Sequence, residues 1–341
     1  MLLPLTIGRA GTSDHAEAVA AYVFSATLAI QDITGMATSG VTASHVAKRL
    51  EGSAESSSHL FALAPRTAPR PVGELGFPQL TAEDLLDVEA WVFVSCPLLE
   101  DVQVIEAHVT LDASIAPLPG ESIPEAPWEA ALSLLDTLSA LLDRPIRHVW
   151  ITGPAPEALH TRGFKAAFSE TQAVFDVPEV TSTLDVVADM DFSPADLPAL
   201  QDVLTSSSRD YPRGSLIMDT VNWDSARLRD AGARLLDRGG TQLTALARDA
   251  SGRVIGMAEV VHYDSDTEAI CEMGLIYVLP EHRRRGHGME MIRSALAAAR
   301  ERWPKITTSY LSYPTGDDAS HAVAKRLGAR TVSTTTAWQN T

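Results

Sequence analysis

Apolar positions fall into two successive series with the same order of elements. In the first, Asp14-x-x-Glu17 precedes an apolar run and predicts a helix over residues 14–30 with a capping-box-like start. Strand-like segments follow at 59–64, 71–77, 91–96 and 102–111. A loop rich in Pro, Gly and Ser at 116–126 leads to a helix over 128–142, a strand over 147–152 and a short helix ending at Arg162-Gly163-Phe164.

The second series opens at Ser193-Pro194-Ala195-Asp196, a helix start with Ser193 as N-cap and proline in the first turn. A helix over 224–237 stops at Gly239-Gly240, and strands are expected at 242–249, 254–263 and 269–279. The turns between them are Ala250-Ser251-Gly252 and Asp264-Ser265-Asp266. A loop over 280–288 precedes a helix over 289–303, stopped by Pro304; a strand at 306–312 and a helix at 319–327 come last, before Gly328. The pattern implies an α/β fold with mixed α+β sheets, built as two copies of one unit, residues 1–180 and 181–341, joined by a linker at about 176–192.

Composition narrows the classes. Hydrophobic residues make up 45% and charged residues 21%, as in ordinary globular proteins. No stretch is long and apolar enough to suggest a bilayer span, and no basic, apolar leader opens the chain. Cys96 and Cys271 form no disulfide framework and no metal spacing, which fits a reducing cytoplasm. The net charge of −17 argues against general nucleic-acid binding. It is unevenly spread: −14 lies in residues 1–180 and −3 in 181–341, so the second half is the better host for a polyanion.

One loop carries distinctive chemistry: Val278-Leu279-Pro280-Glu281-His282-Arg283-Arg284-Arg285-Gly286-His287-Gly288, between an apolar strand and an amphipathic helix with Ile292, Leu296, Ala299 and Trp303 on one face. A helix N-terminus offers free N–H groups and a positive dipole end, glycines permit close backbone approach, and arginines add charge. On these grounds a nucleotide, a sugar phosphate or coenzyme A would fit. The Walker and dinucleotide-binding glycine patterns are absent, as are Gly-x-Ser-x-Gly and His-Glu-x-x-His. His262 and His321 are isolated, and no metal site is expected.

The run Arg283-x-x-Gly286-x-Gly288 after Val278 resembles the coenzyme A motif of the GNAT superfamily of N-acetyltransferases. Two further segments extend the resemblance over about residues 190–335. These are Trp223-Asp224-x-x-Arg227-Leu228-Arg229, similar to a helix of actinobacterial tandem GNAT proteins, and the stretch from Asp317 closing in Lys325-Arg326-Leu327-Gly328-Ala329. It implies that Arg283, Arg284, Arg285, Gly286, His287 and Gly288 cradle the pyrophosphate of acetyl-coenzyme A. The backbone of Ile276, Tyr277 and Val278 would hold the pantetheine arm. Asp317 would stand where the family usually has an asparagine that meets the coenzyme. In the first half, Ala113-Ser114-Ile115-Ala116-Pro117-Leu118-Pro119-Gly120 holds one glycine and no basic residue, so that copy is expected to have lost coenzyme binding.

The implied reaction is acetyl transfer to an amine, which must first lose a proton. Glu272 is the candidate base: period two places it on one face with Ile270, Gly274, Ile276 and Val278, unless a β-bulge re-aims it. The family's usual tyrosine acid is replaced by Ala324, and Tyr310, Tyr313 and His287 are weak substitutes. Cys271 should face away from Glu272 as a structural thiol. The expectation is thus an acetyl-coenzyme A-dependent N-acetyltransferase of a small-molecule amine or exposed amino group, with a homodimer possible. A non-catalytic acyl-coenzyme A sensor or scaffold, and transfer of a longer acyl group, remain open. Tandem members of the family include an enzyme that completes mycothiol by acetylating a cysteinyl pseudodisaccharide; a shared architecture does not transfer that substrate.

Overall fold

The computed structural model describes the chain except residues 1, 8–9, 37–41, 66–68, 119, 238 and 264–268. The turn expected at Asp264-Ser265-Asp266 and Pro119 of the first-half loop therefore lie outside the described residues. The chain divides into two compact units. Unit 1 comprises Met1–Ser169, Gly214–Met218 and Ser333–Thr341; unit 2 comprises Glu170–Arg213 and Asp219–Val332. Among the described residues no helix is long and apolar enough to cross a membrane.

Unit 1 contains β1 (Leu2–Thr6), α1 (Ser13–Thr34), α2 (Ala43–Leu50), β2 (Ser56–Pro65), β3 (Ala90–Pro97), β4 (Val104–Leu111), α3 (Glu125–Leu142), β5 (Ile146–Thr152) and α4 (Glu157–Thr161). Its strands are ordered β1-β2-β3-β4-β5, antiparallel except for β4 against β5. The expected strand at 71–77 is not formed. Pro71 and Gly73 break the ladder, and a short 3-10 turn, Glu74–Gly76, stands there with isolated bridges beside it. β6 (Lys165–Asp176) then leaves this unit for the next.

Unit 2 contains β7 (Val186–Ala188), α5 (Leu197–Asp210), α6 (Ser225–Asp237), β8 (Gly240–Arg248), β9 (Val254–Tyr263), β10 (Ile270–Val278), α7 (His287–Arg302), β11 (Thr308–Pro314) and α8 (Asp318–Arg326). α5 begins three residues later than the proline signal implied. Ser193 only closes a turn onto Ala195 N–H, and Asp196, gripped by Arg248, takes the cap position. The strand order is β11-β10-β9-β8-β7, with β10 and β11 parallel. Residues 170–176 of β6 pair antiparallel with β11, from Thr308↔Asp176 to Pro314↔Glu170. The last strand, β12 (Arg330–Asn340), serves unit 1 through residues 335–340, which pair with β5 from Thr335↔Thr152 to Asn340↔Arg147. Unit 1 thus takes the end of β12 from beyond unit 2 in the sequence, whereas residues 170–176 of β6 open unit 2.

The cores follow from the apolar alternation of the strands. In unit 1, Phe61, Val92, Ile105, Leu132 and Leu135 are fully buried between sheet and α3, while Leu5, Trp91 and Phe93 pack with α1 on the other cluster. In unit 2, Met291, Ile292, Leu296 and Ala299 bury one stripe of α7 among Ala258, Val260, Cys271 and Met273. Cys271 is completely buried, as a small core hydrophobe would be.

Candidate active site

The site grows from one irregularity in β10. Met273 pairs with Val260 and Ile276 with Ala258, so Gly274 and Leu275 stand opposite the single residue Glu259. Two residues against one is a β-bulge, and it adds one step to the alternation. Glu272 pairs with Val261 and Tyr277 with Met257, which places Glu272, Glu259 and Tyr277 on one face. The period-two reading, which put Glu272 with Ile276 and Val278, is corrected by this extra residue. Tyr310 of β11 pairs with Glu272 and joins the same face.

Glu259 fits into the bulge. Its Oε2 accepts the Leu275 N–H at 3.0 Å and its Oε1 accepts an amide N–H from Gln242 at 3.1 Å. A Cβ on Gly274 would stand 2.7 Å from Oε2, so glycine is what lets the carboxylate reach the bend. Burial pushes the Glu259 carboxyl up to about 7, and the two hydrogen bonds pull the other way.

Parallel pairing of β10 with β11 runs from Ile270↔Thr308 to Met273↔Leu311 and no further. Beyond it Ile276, Tyr277 and Val278 keep their partners only on the β9 side. The Tyr277 side chain is buried and donates to Asp210 Oδ2 at 2.5 Å. Burial, reinforced by that carboxylate, raises the Tyr277 phenol to about 12. Asp210 in turn is held below the usual carboxylate range, first by this hydroxyl and then by Arg283.

Arg283 is engaged on the protein. Its Nε donates to the Val278 carbonyl at 2.8 Å, its Nη2 donates to Asp210 at 3.0 Å, and its guanidinium lies 5.0 Å from the Tyr277 ring centre. It pins the loop to β10 and to the end of α5. Arg284, in the left-handed region at φ 62°, and Arg285 are exposed. Gly286 (φ 91°) precedes α7 at its N-cap without a side-chain cap, and a Cβ at either Gly286 or Gly288 would meet nothing within 4 Å. His287 is the first residue of α7 and is half-buried. The start of α7 thus has no side-chain cap and has room beside Gly286 and Gly288, and an uncapped helix N-terminus is a suitable seat for an anion.

From Gly286 a cleft of about 1160 Å³ runs along α7, lined by Met289, Glu290, Arg293, Arg300, Arg326 and the segment from Glu179 to Thr183. Arg293 and Arg326 are exposed, and Arg300 is half-buried with its guanidinium on Val177 O and Glu179. Asp317 caps α8 by accepting Ser320 N–H at 2.8 Å. Ala324, at the tyrosine position of the resemblance, is buried. No group of three or more His, Cys, Asp and Glu suited to a metal occurs among the described residues.

Unit 1 treats the matching loop differently. Asp112 turns inward and accepts from Trp91 Nε1 at 3.1 Å, Ser25 Oγ at 3.2 Å and Ser114 N at 3.0 Å. A carboxylate fills the loop where a phosphate-binding strand–helix loop would present donors. Glu259, Asp210 and Arg293 were not singled out by the sequence pattern, and Arg326 entered only within the closing run Lys325-Arg326-Leu327-Gly328-Ala329. Glu259 did carry a signal, as a lone carboxylate in the apolar run Ile255-Gly256-Met257-Ala258-Glu259-Val260-Val261.

Residues 200–329 match the model of the acetyltransferase (GNAT) family. Among curated proteins none matches by sequence. Among solved structures, a tandem GNAT protein from the clavulanic acid biosynthesis pathway, solved without AcCoA, superposes with TM-score 0.67 at 15% identity, covering 100% of this chain and 98% of that one. A GCN5-related N-acetyltransferase from Sphaerobacter thermophilus gives TM-score 0.58 at 11% identity, covering 99% and 95%. A GCN5-related glucosamine N-acetyltransferase region of a fungal multi-domain GH3 β-N-acetylglucosaminidase gives 0.56 at 12% identity, covering 100% of this chain and 38% of that one. Residues 200–329 thus match the acetyltransferase (GNAT) family, within a chain that has the fold of tandem GNAT proteins.

Proposed function

We propose that unit 2 transfers the acetyl group of acetyl-coenzyme A to an amine, and that unit 1 does not bind the coenzyme. The observation that carries this reading is the uncapped start of α7 at Gly286, opening into a cleft with Arg293, Arg300 and Arg326 along its length. A pyrophosphate fits the helix start, and in the cleft Arg293 and Arg326 are exposed cations beside Glu290, while Arg300 is paired with Glu179. Acetyl-coenzyme A supplies the acetyl group. Gly286, His287 and Gly288 offer backbone N–H groups, and Arg284 and Arg285 add charge at the mouth. Arg283 holds the loop in place through Val278 and Asp210. Ile276, Tyr277 and Val278, released from β11, leave backbone groups for the pantetheine arm.

Glu272 is the base in this reading. It lies on the face shared with Glu259 and Tyr310, where two carboxylates favour a cationic amine and one takes its proton. A small-molecule amine or an exposed amino group is the acceptor class. Tyr277 does not serve as the acid for the departing thiolate, because its hydroxyl is committed to Asp210. The buried Ala324 favours a second reading, an acyl-coenzyme A-binding protein without turnover.

Calorimetric titration of acetyl-coenzyme A into the whole protein tests the first reading, followed by an amine screen. One site per chain, lost in Gly286→Glu, is the expected result. Absence of binding sinks acyl transfer, two sites sink the assignment of unit 1, and tight binding without turnover of any amine leaves the second reading.

A further inference from the structure

The bulge in β10 decides which side chains share the face of Glu272, and it begins the segment assigned to the acetyl donor. Its two extra-ladder residues, Gly274 and Leu275, cannot both pair with β9, because only Glu259 stands opposite them. A bulge leaves a backbone group without a ladder partner, which something must satisfy. Here the Glu259 side chain does so, by accepting the Leu275 N–H.

We propose that Glu259 is a positioning residue: its ionised carboxylate ties off the bulge through Leu275 and so holds residues 276–278 in the alignment that acetyl-coenzyme A requires. This rests on the acyl-transfer reading of unit 2. The ionised form has two acceptor oxygens, and both face N–H donors, Leu275 on one side and Gln242 on the other. Adding a proton turns one oxygen into a donor against a donor, so one of the two bonds weakens. Gln242 is itself fixed by Thr244 at 3.0 Å and cannot simply turn away.

The groups that face Glu259 are known from every neighbouring strand and helix end. β8 contributes Gln242 and Thr244, both neutral. β10 contributes Glu272 and Tyr277 on the same face, β11 contributes Tyr310 beside Glu272, and α5 contributes Asp210, whose charge is compensated by Tyr277 and Arg283. Burial therefore leads the upward shift to about 7, so the ion that holds the bulge forms within the neutral range.

The test uses the full chain. In the protein without ligand, the Leu275 amide resonance is followed by NMR from pH 5.5 to 8.5 in wild type and in Glu259→Gln. Acetyl-coenzyme A affinity is measured calorimetrically over the same range in both, and in Gly274→Ala, whose Cβ would push against Oε2. The Leu275 shift should titrate near pH 7 in wild type and stay flat in the glutamine variant. Wild-type affinity should fall about tenfold more than that of Glu259→Gln between pH 8 and 6, since only the ionised fraction is competent. Gly274→Ala should bind weakly at every pH. A Leu275 shift that ignores Glu259, or superimposable pH profiles for wild type and Glu259→Gln, overturns the proposal. Failure of wild type to bind at any pH overturns the acyl-transfer reading instead, and the two failures are told apart because the first leaves wild-type binding intact. Wild-type NMR alone decides the coupling if a variant does not fold.

Discussion

Glu106 and Glu272 occupy the same register position in the two units. Each is the third residue of its parallel ladder, Glu106 opposite His148 and Glu272 opposite Tyr310. The repeat therefore reaches down to individual side chains, and it separates two fates of one position. Beyond Glu272 lies a glycine-rich loop open to an anion; beyond Glu106 lies Asp112, closed on Trp91 and Ser25.

Glu272→Gln should lower turnover by about 10²–10⁴-fold and leave acetyl-coenzyme A affinity within about twofold, because a base acts on the amine rather than on the donor. Glu106→Gln should change neither. Steady-state kinetics beside calorimetry separate the two; equal losses in both variants would give unit 1 a part in the chemistry.

Gly286→Glu should remove acetyl-coenzyme A binding. It places a bulky anion at the seat of the phosphates and a side chain at φ 91°, where L-residues are strained. Circular dichroism checks that the fold persists. Unchanged affinity would remove the loop from the site.

Arg283 and Asp210 should behave as one unit. Arg283→Ala frees the Val278 carbonyl and the loop, Asp210→Asn weakens the same anchor, and the double variant should lose less than the sum. The coupling expected for a partly exposed pair is about 0.5–1 kcal/mol in acetyl-coenzyme A binding. Strict additivity would show that Arg283 meets the coenzyme independently of Asp210.

Stability should depend on Glu259 with a definite sign. Its carboxyl is higher in the folded chain, about 7, than its ordinary value of 4.5. The folded state thus holds the proton longer. The favourable contribution is complete below pH 4.5 and is lost as pH rises through 7, by about 3 kcal/mol in all. Relative to Glu259→Gln, wild type should therefore lose thermal stability between pH 5 and pH 8. Parallel melting curves for the two proteins over that range would contradict the shift.

The loop 280–288 and the helix behind it were legible because glycine, arginine and helical periodicity are local signals. A bulge in β10 was open as an alternative, but its place was not legible, since Gly274-Leu275 looks like any two strand residues until the register with β9 is known. Glu259 stood out in sequence only as a lone carboxylate in an apolar run; its role depends on the backbone N–H of Leu275, which the register brings to it. β12 did leave a trace in the run Thr334-Thr335-Thr336, where β-branched residues favour strands. Its partner β5, however, lies in the opposite half of the sequence, and no pattern within β12 names that partner.

The late return of β12 to unit 1 also sets an order of events during synthesis. Residues 335–340, which lie against β5, are made after every residue of unit 2. While the ribosome works through the second half, β5 waits without that neighbour, although β1 to β5 have already emerged. A nascent first domain with an open strand edge is a target for mispairing and for chaperones. The unit translated first is thus the last to be completed.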